Sequence, residues 1–204
     1  VVLDLGAGRA EWFEDDKCST RRGIRAIHSK VKEFIAADVD AIVLKNRASH
    51  KQIVIDGKIN LSDSSIDIII ADYVLEHIDD ASQFASEVDR LLKPGGWLCA
   101  RTPHKYSYVA LAARLVSNKY HSRFLQYIQP KRKEIDVFPT TYALNMHKDV
   151  KKIFPYWNDC TYIYKIDPSY YFGKKWLYHI QKYCHQLLFK HFSGNLFIFI
   201  QKPN

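Results

Sequence analysis

The sequence predicts an α/β fold: a seven-stranded, mostly parallel sheet with helices on both faces, closed at its C-terminal end by an antiparallel pair of strands. Three observations predict it. Through residues 1–101, apolar runs of strand length alternate with stretches of helical periodicity, the rhythm of βαβ units around a parallel sheet. The first apolar run ends in a glycine-rich turn at Gly6-Ala7-Gly8, as strand-to-helix turns of open α/β sheets do. Two late apolar runs then flank a helical segment within residues 161–204, an arrangement that suits an antiparallel closing pair.

The elements follow in order. Residues 1–5 read as a buried strand, 33–37 as a second, 51–55 as a third and 66–71 as a fourth. An amphipathic helix comes next. Phe84, Ala85, Val88, Leu91 and Leu92 recur at helical spacing, while Ser86, Glu87, Asp89 and Arg90 take the other face. Lys93-Pro94-Gly95-Gly96 stops that helix and turns the chain into a fifth strand at 97–101. Helices are expected at 108–116 and 148–154, with a polar, basic stretch at 120–137 between them. The last strands fall at 161–166 and 196–201, and a segment rich in Tyr, His, Lys and Leu at 174–192 lies between them as a helix. The whole is one domain of 204 residues: a cofactor-side half (1–105), an acceptor-side insertion (103–160), and closing strands and helix (161–204).

Composition narrows the function classes. An apolar fraction of 47% with 14% aromatic residues belongs to a globular chain. Cys18, Cys99, Cys160 and Cys184 stand far apart with no CxxC pair, which argues against a disulfide framework or a zinc site and for a reducing, cytoplasmic setting. No apolar run reaches the roughly 20 residues of a membrane span. The chain opens on the apolar run itself, without Met, so a short preceding segment is expected. Charge is uneven: residues 1–100 hold 13 basic and 17 acidic residues, residues 101–204 hold 17 and 5. A net charge of +12 in the second half suits a phosphorylated or otherwise anionic partner, or a solvated basic surface.

Chemistry concentrates where strands end. Gly6 and Gly8 let the backbone turn tightly and a ligand approach the main chain. A dinucleotide reader would carry a third glycine at position 11, where this chain has Glu11, an acidic residue wrongly charged for a pyrophosphate. Asp4-Leu5-Gly6-Ala7-Gly8 resembles the first motif of the class I methyltransferases that use S-adenosylmethionine (SAM), in particular their small-molecule, type 11-like branch with its Rossmann-like sheet. Over about the first 105 residues the resemblance continues in order, through Ala36-Ala37-Asp38-Val39-Asp40, Ile55-Asp56-Gly57, Ile69 to Ile78, Leu91 to Leu98 and Thr102-Pro103-His104.

The resemblance implies SAM as cofactor and S-adenosylhomocysteine as product. It places Asp4, Gly6, Ala7 and Gly8 against the cofactor, Asp38 and Val39 at its ribose, Asp56 and Gly57 beside its adenine, and Asp72 and Tyr73 at the exit of the fourth strand. A carboxylate suits a ribose because it accepts two hydrogen bonds from a vicinal diol. Asp38 is preferred to Asp40 because it directly follows the apolar strand. The chain departs from the family at Ala10, where a third glycine is usual, and in the 30 residues from Gly8 to Asp38, which a polar loop or extended first helix would fill. Asp72 is read either as a cofactor or substrate contact or as the cap of the helix that follows.

For the transfer step, His77 and His104 are the candidate general bases, each alternatively a buttress of its loop. Tyr106 and Tyr108 could wall the acceptor or simply pack. No metal-ligand cluster stands out. The acceptor is expected to be a small molecule, with a lean toward a glycan, nucleotide-sugar or glycolipid; a nucleic-acid methyltransferase and a non-catalytic SAM-binding module are the alternatives. The aromatic, basic segment 176–190 reads as a helix covering the sheet, as a contact with an anionic membrane surface and a lipid-linked acceptor, or as a nucleic-acid path. Nothing in the sequence fixes an oligomeric state.

Overall fold

The structure, a computed structural model, describes residues 1–108, 110, 111, 140–168 and 171–204. The helix expected at 108–116 lies mostly, and the basic stretch 120–137 wholly, outside these residues. Five parallel strands form the body of the sheet: β1 (Val2–Leu5), β2 (Phe34–Asp38), β3 (Lys51–Val54), β4 (Ile66–Asp72) and β5 (Leu92–Pro103). The antiparallel β8 (Gly194–Gln201) lies against β5, and β6 (Asn158–Asp159) and β7 (Tyr162–Lys165) both pair with the far edge of β8. The order is therefore β3-β2-β1-β4-β5-β8, with β6 and β7 sharing the last lane.

That shared lane corresponds to the single strand expected at 161–166. The Asp159 carboxylate takes the Thr161 N–H at 2.8 Å, a side-chain bond that breaks the lane between its two pieces. The expected seven lanes are present, the last of them split.

Right-handed crossovers run in opposite directions from β1 to β2 and from β4 to β5, so their helices cover opposite faces of the sheet. One face is fully buried. Leu3, Ile35, Ile69, Leu98, Leu196, Ile198 and Ile200 alternate inward along their strands, all 2% exposed or less. They share one apolar cluster with Val88 and Leu91 of α3 (Ala81–Leu91) and Val150 of α4 (His147–Ile153). Ile68, Ile70, Trp97, Cys99, Phe197 and Phe199 point to the other face and stay half-buried.

The structure corrects several expectations. The second strand runs one residue later than read, ending on Asp38. The glycine turn leads into two short helices, α1 (Trp12–Asp15) and α2 (Ser19–Arg25), followed by a 3-10 turn at Ile27–Lys30. Between the helices the Asp16 carboxylate accepts the Cys18 N–H at 2.9 Å and pairs with Arg21, a local alternative to helical hydrogen bonding. Helix α3 does end before Lys93-Pro94-Gly95-Gly96, but the fifth strand is longer than the 97–101 expected: β5 starts at Leu92, and these four residues bulge out of it, Leu92 pairing with Ile66 and Trp97 next with Ile68. Asp72 does not cap α3, because Asp80 accepts the N–H groups of Ser82 and Gln83 at 2.9 Å. The helix expected at 174–192 divides into α5 (Lys175–Leu187) and α6 (Lys190–Ser193). Lys165 Nζ closes the end of α5 by donating to the carbonyls of His185 and Gln186 at 3.1 and 3.2 Å.

Arg90 pins the connection between β3 and β4 to α3. Its guanidinium donates to the Ile59 and Leu61 carbonyls at 3.0 and 2.8 Å and to Glu87 and Asp63 at 2.7 and 2.6 Å. A lysine offers no planar fork for four acceptors. Arg90→Ala is expected to lower stability by about 2 kcal/mol in urea denaturation, with Arg90→Lys restoring less than half of the loss.

Candidate functional site

The strand order reverses between β1 and β4, and the crevice at a reversal is where open α/β sheets bind ligands, outside the carboxyl ends of the strands. Three carboxylates stand there, Asp4 in β1, Asp38 at the end of β2 and Asp72 at the end of β4. Asp4 is pushed up to about 7, first by burial and then by repulsion from Asp72 and Asp38. Asp72 is held by Arg101, whose Nε and Nη2 donate to its two oxygens at 2.6 Å each.

The glycine turn is built on left-handed backbone. Gly6 (φ 67°), Gly8 (φ 50°) and Ala10 (φ 52°) all have positive φ. The two glycines face different surroundings. A Cβ on Gly6 would come within 2.5 Å of the Val74 side chain, so the turn lies hard against the exit of β4; a Cβ on Gly8 would meet nothing within 4 Å. Space is thus left open beside the middle of the turn. Gly8 N–H donates to Asp38 at 2.9 Å, and the other Asp38 oxygen accepts the Asp40 N–H at 3.0 Å. Each oxygen keeps a further lone pair for a ligand hydroxyl. Asp40 itself is used as a cap, accepting the Ile42 N–H at 2.8 Å in the 3-10 turn Ala41–Lys45.

The remaining cofactor-side residues are spread more widely. Val39 is 63% exposed just beyond Asp38. Asp56 and Gly57 form an exposed turn beyond β3, Gly57 with φ 75°. Tyr73 also has positive φ (58°); its ring lies 4.6 Å from the Arg101 guanidinium and its hydroxyl accepts from Asn195 Nδ2 at 2.6 Å. The structure therefore joins Gly8 to Asp38, couples Asp4 to Asp38 and Asp72, and places Tyr73 beside the partner of Asp72. Asp56 and Gly57 stand apart from these bonds.

His77 ends the 3-10 turn Leu75–His77 beyond β4, and His104 follows β5. A buried network ties the two exits together. Thr102 Oγ1 donates to Glu76 at 2.8 Å and accepts from Asn145 Nδ2 at 2.6 Å; Asn145 Nδ2 also reaches the Pro103 carbonyl at 2.8 Å. Burial raises the carboxyl of Glu76 above its ordinary range. His104 is 2% exposed, and burial, with His191 at 5.0 Å between ring centres, lowers its pKa. Its Nδ1 accepts the Tyr106 N–H at 3.2 Å, so the neutral ring carries its hydrogen on Nε2. Of the two tyrosines read as an acceptor wall, Tyr106 lies 5.8 Å from the His104 ring and Tyr108 packs 5.2 Å from His185.

Two clefts open nearby. One of about 440 Å³ is lined by His104, His147, Lys148, Lys190 and His191 among others, and no carboxylate is among its described lining residues. The other, about 550 Å³, is lined by Arg9, Glu11, Phe13, Leu44 and Arg47; of the expected cofactor residues none lines it, and it is a gap between α1 and the 3-10 turn Ala41–Lys45. Among the described residues no group of His, Cys, Asp and Glu is arranged to hold a metal ion.

Sequence reading missed Arg101, Asn46 and Asn145. Asn46, 3% exposed, donates to the carbonyls of Ala7 and Gly8 at 3.4 and 3.0 Å and so clamps the glycine turn from outside. No motif marks these residues. Arg101 alone had a signal, since it lies one lane from Asp72 if β4 and β5 are parallel neighbours.

A methyltransferase-domain family profile matches residues 3–100. A protein described as a probable S-adenosylmethionine-dependent methyltransferase of Mycolicibacterium smegmatis is 30% identical over 113 residues, 53% of this chain and 44% of its own length. The chain therefore spans less than half the length of that relative. A SAM-dependent methyltransferase from Archaeoglobus fulgidus superposes over 98% of this chain and 85% of its own with a TM-score of 0.55 at 16% identity. One from Mesorhizobium loti does so over 98% and 90% with a TM-score of 0.56 at 13% identity. At such identities the solved structures speak for the fold alone. Over residues 3–100, just under half of its length, the chain is thus similar to the SAM-dependent methyltransferases, and its fold is that of their solved structures.

SAM is the cofactor of that family, and the donor set fits it. The carboxylates of Asp4 and Asp38 suit a ligand carrying ammonium and sulfonium charges and oppose a pyrophosphate.

Two outcomes follow from this geometry. Left-handed backbone costs a residue with a Cβ about 1 kcal/mol, so Ala10→Gly is expected to raise the urea midpoint by an amount worth about 0.5–1 kcal/mol. Asp4 holds its proton more tightly folded than unfolded, so it favours the folded state at low pH, and that contribution is lost as pH rises from about 4 to about 7. In urea titrations across that range, Asp4→Asn should fall less steeply than wild type.

Proposed function

We propose that the chain transfers the methyl group of SAM to a small anionic acceptor, a glycan, nucleotide-sugar or glycolipid, held in the cleft beside His104. The observation that carries this reading is the wall of that cleft: Lys148, Lys190 and three histidines line it, and among the described residues the one carboxylate bonded to that wall is Asp159, the partner of His147. Its volume, about 440 Å³, is that of a small-molecule site and not of a duplex groove.

SAM supplies an electrophilic methyl group on a good, neutral leaving group. The task of the protein is then position. The β1 turn and Asp38 hold the nucleoside end, while Asp4 meets the positive charge. The Glu76–Thr102–Asn145 network keeps the exits of β4 and β5 at a fixed spacing. Effective molarities of about 10⁵ M or more are available from such alignment alone. His104, whose Nδ1 accepts the Tyr106 N–H and whose ring also bonds the His191 backbone, fixes the wall of the cleft, and His77 is the candidate that removes the acceptor proton.

Calorimetric titration with SAM and S-adenosylhomocysteine tests the cofactor half. Asp38→Ala should weaken binding at least about tenfold, or about 1.4 kcal/mol. Because a cation beside Asp4 favours its ionised form, SAM binding should release a proton and strengthen as pH rises through about 7. Well-folded protein that binds neither ligand would sink the reading. For the acceptor half, methyl transfer is measured on a panel of anionic sugars and glycolipids, where Lys148→Ala and Lys190→Ala should raise KM about tenfold with kcat little changed. Salt-sensitive methylation of RNA with none on the panel would move the assignment to a nucleic-acid acceptor.

A further inference from the structure

Helix α5 presents its apolar side outward. Trp176, Ile180, Tyr183 and Leu187 are 61%, 54%, 62% and 72% exposed, and their spacing of four, three and four residues gathers them within about 60° of arc. The inner side, directly opposite, is polar for much of its length. His185 Nδ1 is 3.0 Å from the Ile166 carbonyl, and the Tyr178 hydroxyl donates to Asp167 at 3.2 Å. Phe189, 86% exposed at the step from α5 to α6, extends the stripe. An amphipathic helix that covers a sheet turns the other way, burying its apolar stripe and wetting its polar one.

One flank of this stripe is cationic. From residue 168 to residue 204 the chain contains five lysines and three histidines and neither Asp, Glu nor Arg. Lys182 lies 3.6 Å from Asp167, whereas Lys174, Lys175 and Lys190 have no ion-pair partner among the described residues. An outward apolar stripe carrying Trp and aliphatic side chains, edged by lysine, matches a helix lying in the interface of an anionic bilayer. Nucleic acid is the poorer match. Ile180 and Leu187 offer no ring for base stacking, and the guanidinium groups that dominate phosphate recognition are missing from the segment.

We propose that α5, with Phe189, is a docking surface for an anionic phospholipid membrane. Apolar side chains enter the acyl boundary and the flanking lysines meet the headgroups. No helix of the described residues is long and apolar enough to cross a membrane, so this contact lies along the surface. Lys190 and His191 of α6 line the cleft beside His104 and follow Phe189 directly, so the membrane-facing stripe and that cleft adjoin. The docking surface itself does not depend on the methyl-transfer reading.

Co-sedimentation with phosphatidylcholine vesicles, with and without about 30% phosphatidylglycerol, tests it. Wild type should bind the anionic vesicles at least about tenfold more tightly than the neutral ones, and less tightly in about 0.5 M salt. Ile180→Glu with Leu187→Glu, and separately Lys174→Glu with Lys175→Glu, should each cut binding about tenfold. Circular dichroism and the urea midpoint, unchanged in both variants, confirm their fold. Tryptophan emission should shift to the blue on the anionic vesicles, and Trp176→Phe should remove the shift. Equal binding to both vesicle types, or stripe variants that bind like wild type, would overturn the proposal. So would self-association that the stripe variant abolishes, which would make the face a contact between copies. RNA binding lost in the lysine variant but kept in the stripe variant, without vesicle binding, would assign the charge to nucleic acid instead.

Discussion

Parallel, in-register pairing of β2, β1 and β4 is the constraint from which the site follows. Asp4 and Leu5 sit level with Ala36 and Ala37 on one side and with Ile70 and Ala71 on the other. Strands so aligned end together, and whatever residues occupy their last positions are delivered to one crevice. Asp38 and Asp72 hold the last positions of β2 and β4, and Asp4 the next-to-last of β1. Burial, with repulsion from Asp72 and Asp38, is what holds Asp4 partly protonated near neutral pH. Arg101 offsets the charge of Asp72, and a crevice that keeps Asp4 and Asp38 close together favours a cationic ligand. On the proposed reading, recognition of a cationic cofactor rests on the register of the sheet as much as on any single side chain.

The exits of β4 and β5 are organised by a different force. There the chain buries polar groups and ties them to each other: Glu76, Thr102 and Asn145 are all 5% exposed or less. Such a network is costly unless its members are paired, and in return it fixes the spacing of two loop origins. It also explains why Glu76 sits inside while His77, its neighbour, is only half-buried. A carboxylate that fastens β5 leaves the next side chain turned elsewhere.

Much of this was legible in the sequence because it depends on short-range rules. Alternating apolar residues announced β1, β2 and β4, and the run of small and acidic residues at Gly6 to Gly8 and at Asp38 announced where a ligand could come close. The departures lay where a side chain competes with the backbone. Asp16 divides the stretch read as a polar loop or an extended first helix into two short helices, Asp159 breaks a strand, and Lys165 ends α5 from a position ten residues before that helix begins. Arg101, Asn46 and Asn145 were out of reach for another reason. Their partners are 29, 38 and 43 residues away, and only the assembled sheet makes them neighbours. The outward stripe of α5 was visible as a helical pattern, but which way it faced depended on the polar contacts of His185 and Tyr178.

The antiparallel strand β8 lies between β5 and the split lane of β6 and β7, although it comes after all of them in the chain. During synthesis β6 and β7 therefore emerge with no strand to pair with, and the buried flank of β5 stays open until residues 194–201 have left the ribosome. Their 2- and 4-residue lengths are too short to persist alone. Completion of the sheet is thus a single late event, with long loops closing at once, and a nascent chain halted short of β8 exposes an unpaired apolar edge of the kind that chaperones bind.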